Sequence, residues 1–466
     1  MARIPEIITP QKVVKAMVDM LPEEVWSSHT VFLDPACKGG EYLKEIYDRL
    51  METESIIAEY PNQFERSNHI LLNQLYGIAL SQVSLERTTK KLLGCGANIR
   101  VIPDYINKLK GFNLGSRPDG SQNNILDILN KEFGRKMKFD VVIGNPPYQE
   151  NTGGGRGNLA TDIFDKFIVN GVYMTSGCIC LITPTKWVNK NNLKDVKTLL
   201  TDGHTEKLVT YTNSNACFPG ADIAGGVSYF LYDKTKTYNE CCITNNIKDD
   251  DNNRIRPLVL NGDVIIDNIA YGIVKALGEY KAFEPTSGDN PFGILSTDHG
   301  SIIEEDSTDA ILIRNDTEEY FSFDSLRGKE LVNMYKITIG KMNPDRGGVN
   351  NSSSWNVINV PKALSPRYVI PQNFMILFAS SDKMAASKFY RYCKTKLFRF
   401  LALQGMSGAS MASKETWRFV PQQDFSSSSD IDWSQSISDI DKQLYKKYNL
   451  SDEEIAYIEK TIKPMQ

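Results

Sequence analysis

Asn145-Pro146-Pro147-Tyr148 stands directly behind FDVVIG (139–144), an apolar run that reads as a buried strand. An amide oxygen on Asn145 and the peptide carbonyl of Pro146 offer two hydrogen-bond acceptors side by side. That pair suits an amine conjugated to an aromatic ring. Such a nitrogen is a poor nucleophile because its lone pair is delocalised. If both N–H bonds are accepted, a more tetrahedral nitrogen is favoured, and its lone pair can attack an electron-poor carbon in line. Pro146 and Pro147 stiffen the loop, so the acceptors are placed in advance of the reaction. Tyr148 adds an aromatic face on which a planar ring can stack.

These residues need a scaffold, and the first ~240 residues supply one by alternating strand and helix patterns. Short apolar runs at VFLD (31–34), LYGIAL (75–80), FDVVIG (139–144), CICLITP (178–184) and YFLYD (229–233) read as strands, the last closing the series. Amphipathic stretches lie between them, and ITPQKVVKAMVDMLP (8–22) precedes them with Thr9 as a candidate N-cap and Pro10 at the first helical position. Alternation of this kind predicts an α/β fold, a mostly parallel sheet with helices on both faces. Ligands then bind beyond the C-terminal ends of the strands. The loops at 111–124 and 149–160 interrupt the pattern. The glycine run Gly153–Gly157 is not followed by G-K-[ST], so it is not a phosphate loop. Eight scattered cysteines without paired C-x-x-C sets read as reduced core residues, and no metal-ligand spacing is evident. The N-terminus lacks signal-peptide character and no run is long and apolar enough to span a membrane, so a cytoplasmic protein is expected.

Asp34-Pro35-Ala36-Cys37-Lys38-Gly39-Gly40, at the end of the first strand, together with Asn145 to Tyr148, resembles the N6-adenine DNA methyltransferases of restriction–modification systems in their gamma arrangement. The resemblance covers residues 1 to about 240. It implies a Rossmann-like class I fold, S-adenosylmethionine as methyl donor with no metal, and duplex DNA whose target adenine is flipped into the pocket. It further implies that Asn145, Pro146, Pro147 and Tyr148 form the catalytic loop, and that Phe218, in Cys217-Phe218-Pro219, stacks opposite Tyr148. Thr9, Asp34, Pro35, Ala36, Cys37, Gly39 and Asn145 would line the cofactor site, and Asp127 would flank the cofactor's adenine ring, with Asp104 as the alternative. Ile182 to Trp187 resembles a structural strand and P-x-x-W of the family. Two positions depart from the pattern. Lys38 replaces the usual glycine, and Ala79 stands where an acid usually binds the ribose hydroxyls.

The remainder resembles the family only in placement and charge. The expected division is a catalytic domain over 1–245, a mixed α+β target-recognition domain over 246–425 and a helical segment over 426–466. From Arg327 to Arg418 there are fifteen Lys/Arg against four acids, whereas from Asp424 onward there are five Lys against nine acids. Such segregation suggests a phosphate-facing surface, with the interleaved KFYRYCKTKLFRF (388–400) its densest part. A cognate restriction endonuclease or a specificity subunit are the further partners implied. Two other readings of the same motifs remain at this point: a non-catalytic or partner-dependent DNA-binding subunit, and a methyltransferase acting on RNA or on protein glutamine. Asp267 with Glu279 and Lys281 fits a nuclease spacing only loosely.

Overall fold

The computed structural model describes residues 7–465 apart from 80, 94–99, 104–132, 135–137, 152–159, 189–192, 222, 224, 248–249, 305, 315–316, 346–353 and 407–409. Two compact units result, Met1–Asn268 and Ile269–Gln466.

The first unit is built on strands β1 (Phe32–Cys37), β2 (Leu75–Ala79), β3 (Arg100–Pro103), β4 (Phe139–Gly144), β5 (Gln149–Asn151), β6 (Ala160–Asp162), β7 (Thr175–Pro184), β8 (Thr205–Tyr211), β9 (Val227–Asp233), β10 (Cys241–Ile247) and β11 (Asp250–Arg256). All but the β5–β6 hairpin join one nine-stranded sheet in the order β11-β10-β8-β9-β7-β4-β1-β2-β3. The run β3-β2-β1-β4-β7 is parallel, and β9 enters antiparallel to both β7 and β8. The five strands read from the sequence are therefore present. YFLYD does not close the series, because β10 pairs parallel with β8, and β11 folds back on β10. The break expected after residue 245 thus falls after Asn268. The polar residues of β10 and β11, such as Asn245, Asn252 and Asn253, hid these strands from a reading based on apolar runs.

Alternation along the central strands fills two cores. Leu33, Val142, Ile179, Leu181 and Phe230 point to one face and meet Phe164, Phe167, Ile168 and Val196 from the helices Phe164–Met174 and Lys194–Leu200. Phe32, Val141, Ile143, Cys180 and Leu231 point to the other and meet Val14, Met17, Leu43 and Ile46 from the helices Gln11–Val18 and Glu41–Glu52. Apolar residues at helical spacing on each helix meet strands with period two, which is the pattern of a sheet covered on both sides.

In the second unit, strand Tyr335–Gly340 lies between Lys362–Leu364 and Phe374–Ser380, all antiparallel, and a separate hairpin pairs Ala310–Arg314 with Thr317–Phe321. Four helices follow, Lys383–Lys394, Lys396–Gly405, Ile437–Lys447 and Asp452–Thr461. Ser451 and Glu454 form a capping box at the start of the last. Residues 426–466 belong to this unit. Trp433 packs on Phe425 and Tyr392, and Ser426 and Ser428 both bond the Asp424 carboxylate, so the serine run is a structured turn.

The interleaved segment 388–400 faces inward, which corrects the expectation of a phosphate-facing surface there. Phe389, Tyr392 and Phe398 are core. Arg399 is fully buried and donates to the carbonyls of Thr395 and Asn356. Lys388 and Arg391 donate to the carbonyls of Ser426 and Gln435, and Lys396 pairs with Glu459 at 2.6 Å. Aromatic residues at helical spacing were the signature of a core, and the cations between them tie down the C-terminal turns.

The close approach of β1 and β4 is testable at Gly144, where a Cβ would stand 2.7 Å from Asp34 Oδ1 and 3.2 Å from Pro35 Cδ. Gly144→Ala should lower the urea midpoint by the equivalent of roughly 1–3 kcal/mol, the usual cost of overpacking. An unchanged midpoint would show that the two strand ends can separate without cost.

Candidate active site

Three segments meet at the C-terminal ends of β1 and β4. After β1 the chain turns through Lys38, Gly39 and Gly40 into the Glu41–Glu52 helix. Gly40 has φ +77°, a backbone requirement that favours glycine, whereas a Cβ on Gly39 would meet only the carboxyl end of the Glu41 side chain. The Gly39 amide donates to Glu41 Oε2 at 3.0 Å, and Glu41 Oε1 accepts from Lys91 at 2.8 Å. Asp34 is buried, and its Oδ1 accepts from the Ala36 amide at 3.0 Å. Loss of water raises its pKa to about 7; that amide bond, then the Cys37 thiol and least of all Lys38, work the other way. The Cys37 thiol is likewise raised by burial, and its Sγ lies 3.6 Å from the Asp34 carbonyl.

After β4 comes Asn145, 3% exposed. Its carboxamide is oriented so that Oδ1 accepts from Lys38 Nζ at 3.2 Å and Thr9 Oγ1 at 3.1 Å, while Nδ2 donates to the Pro146 carbonyl at 3.3 Å. The opposite orientation would set an amide nitrogen against an ammonium and an oxygen against a carbonyl, so the neighbours decide the assignment. Pro146 and Pro147 are buried. Thr9 does not cap the Gln11–Val18 helix, whose N-cap is Pro10 without a side-chain bond; its hydroxyl belongs to Asn145 instead.

Tyr148 packs against both cores, and its buried hydroxyl has no hydrogen-bond partner among the described residues. Burial raises its pKa, with the Cys217 thiol nearby as a smaller cause. Phe218 joins the same apolar cluster as Tyr148 but is only 1% exposed. It therefore presents no open face in this state, unlike the stacking surface expected of it. Ala79 is confirmed at the end of β2, in register with Cys37 and Pro103. Ser81, just beyond, caps the next helix through the Ser84 amide. Asp127, Asp104 and Gly153–Gly157 lie outside the described residues.

Several site residues were not singled out from the sequence. Asp162, on β6, accepts from Gln149 and pairs with Lys186, while the Ile163 amide donates to the Tyr148 carbonyl at 3.1 Å. These contacts fasten the loop after β4 to the segment after β7, where Trp187 is fully buried and bonds Ser228. Glu41 and Tyr42, on the first turn after Gly40, are buried beside Asp34 and Thr9. The signal that could have found Glu41 is its place one residue after a glycine pair at a helix start.

The order β3-β2-β1-β4-β7, with an antiparallel β9 between β7 and β8 and the reactive loops at the C-terminal strand ends, is the Rossmann-like fold of class I S-adenosylmethionine-dependent methyltransferases. Residues 73–218 match the Eco57I restriction-modification methylase family, a stretch that runs from the start of β2 through Asn145 to Phe218. An uncharacterized adenine-specific methylase of Mycoplasma pneumoniae (strain ATCC 29342 / M129 / Subtype 1) is 28% identical over 285 residues, 49% of this chain and 67% of the relative. A nuclease-deletion mutant of the Type ISP restriction-modification enzyme LlaGI, solved with a DNA substrate mimic, matches with a TM-score of 0.50 at 10% identity, over 86% of this chain and 45% of that one. The type I restriction enzyme EcoKI M protein matches with a TM-score of 0.36 at 14% identity, over 51% of this chain and 48% of that one. The chain thus spans less than half the length of either solved chain.

The cofactor expected of this fold fits the residues present. Gly40 holds the β1 turn at a φ that a side chain would strain, and the buried hydroxyls of Thr88, Tyr148, Thr183 and Thr185 have no hydrogen-bond partner among the described residues. Among the described residues no three His, Cys, Asp or Glu side chains gather as a metal site, and no helix is long and apolar enough to cross a membrane.

The buried carboxyl of Asp34 makes stability depend on pH. Its folded pKa, about 7, lies above its ordinary value of 3.8, so the folded state holds the proton more tightly than the unfolded chain. Its contribution is fully present below pH 4 and is lost as pH rises toward 7. Asp34→Asn removes that loss, so its urea midpoint should exceed the wild type's at pH 8 and approach it at pH 4. Equal differences at both pH values would mean that Asp34 ionises normally.

Proposed function

We propose that the chain is an S-adenosylmethionine-dependent DNA methyltransferase acting on the N6 amine of adenine within a restriction–modification system. The observation that carries this reading is the pair of acceptors, Asn145 Oδ1 and the Pro146 carbonyl, fixed on a proline-stiffened loop next to the glycine turn after β1. The match of residues 73–218 to a restriction-modification methylase family, and the likeness to an adenine-specific methylase, support the choice of adenine in DNA over RNA or glutamine.

Asp34, Pro35, Ala36, Cys37 and Gly39 form the cofactor wall, with Thr9 closing it from the N-terminal side. S-adenosylmethionine held there supplies a methyl group made electrophilic by the positive charge on sulfur. Asn145 and the Pro146 carbonyl accept the two N–H bonds of a flipped adenine and aim the nitrogen lone pair at the methyl carbon. A nitrogen–carbon bond forms as the carbon–sulfur bond breaks, and the proton leaves the nitrogen for solvent. Tyr148 is the stacking ring, with Phe218 as the apolar wall behind it. Asp127 flanks the cofactor's adenine, duplex DNA is the substrate, and a restriction endonuclease or specificity subunit is the further partner.

The test is methyl transfer from labelled S-adenosylmethionine to unmethylated genomic duplex DNA, with the product nucleoside identified by mass spectrometry and the site mapped by sequencing. N6-methyldeoxyadenosine is expected. Asn145→Ala should lower the rate by about 10²–10³-fold, the usual loss when a preorganised polar contact is removed, while cofactor binding survives. Because the Tyr148 hydroxyl has no partner among the described residues, Tyr148→Phe should remain close to wild type. Unlabelled DNA, or an Asn145→Ala variant as fast as wild type, would overturn the assignment.

A further inference from the structure

Lys38 stands where glycine is usual, and its ammonium does something specific. Nζ is 3.2 Å from Asn145 Oδ1, one of the two acceptors that the substrate amine needs. The second, the Pro146 carbonyl, is taken by the Asn145 carboxamide nitrogen at 3.3 Å. Both acceptors are thus satisfied from within the chain, Oδ1 by Thr9 Oγ1 at 3.1 Å as well as by Lys38, and a cationic N–H donor takes one of the positions that the amine needs. A buried acceptor pair left empty would cost free energy, so this placeholder stabilises the loop while no substrate is present.

The geometry points to Lys38 as a positioning residue that makes capture of the amine conditional on the cofactor: its ammonium holds Asn145 until the cofactor is bound, then turns to the cofactor's carboxylate. This deepens the function proposed above and rests on it. The argument is electrostatic. In-line transfer requires the sulfonium within a few ångströms of the amine nitrogen, and therefore close to where Nζ now lies. Two cations at that separation repel. Lys38 stems from the turn that opens the Glu41–Glu52 helix, whose N-terminus already holds the Glu41 carboxylate on the Gly39 amide, and the methionine carboxylate, the only anionic group of the cofactor, is the counter-charge left for the ammonium. The buried Asp34 carboxyl, which Lys38 influences electrostatically, faces the same turn and would then have the sulfonium in its place.

The experiment uses a duplex bearing the mapped methylation site, with either adenine or purine, which lacks the 6-amine, at the target position. Equilibrium affinity is measured with and without sinefungin. For the wild type, adenine should bind no better than purine without sinefungin, and about tenfold better with it, the scale of one or two net hydrogen bonds. For Lys38→Met, the same preference should appear without sinefungin, and Lys38→Arg should restore the dependence. In parallel, wild type should bind S-adenosylmethionine more tightly than its decarboxylated form, and Lys38→Met should not distinguish them. A Lys38→Met preference that still needs sinefungin overturns the gate, and equal wild-type affinity for the two cofactor forms overturns the carboxylate contact. A wild type that fails to methylate DNA at all would instead remove the reading on which the inference rests.

Discussion

Two parallel strands that end against one another set the chemistry of this molecule. The last residue of β4 is a glycine because the Asp34 carboxylate and the Pro35 ring leave no space for a Cβ. That absence of a side chain lets the turn after β1 and the loop after β4 share one small volume. Lys38 reaches Asn145 only through it, and Thr9 closes the third side from before the first helix. The packing behind is symmetrical in effect. Two apolar cores, one on each face, press the strands into register and leave the polar groups at the C-terminal edge with nowhere else to go.

Two buried polar side chains face one another's strands at the proposed site. Asp34 and Asn145 are both nearly inaccessible, and each is held by amide or side-chain donors. Around them lie hydroxyls on Thr88, Tyr148, Thr183 and Thr185 with no partner among the described residues. Interiors seldom leave such groups unsatisfied, and the cofactor proposed above would supply partners at these strand ends. The hairpin of β5 and β6 adds rigidity, since Asp162 links Gln149 to Lys186 beside the loop after β4. Preorganisation of this kind keeps the two acceptors in place before any substrate arrives.

Much of the first unit was legible in the sequence because its central strands are apolar and its helices amphipathic. The five strands and the loop from Asn145 to Tyr148 fall where pattern and residue type put them. The edge strands β10 and β11 were not legible, since a sheet edge rich in asparagine carries no apolar run. Thr9 shows a different limit. Its position before a proline fits a helix cap as well as a site residue, and only the tertiary fold, which brings Asn145 to it, decides between them. Phe218 joins the core cluster on which Tyr148 packs, and the fold buries the ring that sequence reasoning had left open to a base.

Charge misled for a related reason. The excess of cations between Arg327 and Arg418 is a property of a linear window, and folding matches it with acids from outside that window. Lys341 pairs with Asp289, Lys329 with Asp324, Arg367 with Glu304 and Lys396 with Glu459. Lys336 is fully buried and donates to the carbonyls of Leu331, Val332 and Met334; burial lowers its pKa to about 8. A cation spent on an internal carbonyl or carboxylate has little field left for a phosphate, because the partner cancels it at short range and salt screens the remainder. Any phosphate-facing surface on this unit must therefore be assembled from cations that internal pairing leaves outward. Counting charges along the chain cannot identify these, whereas their partners in the fold can.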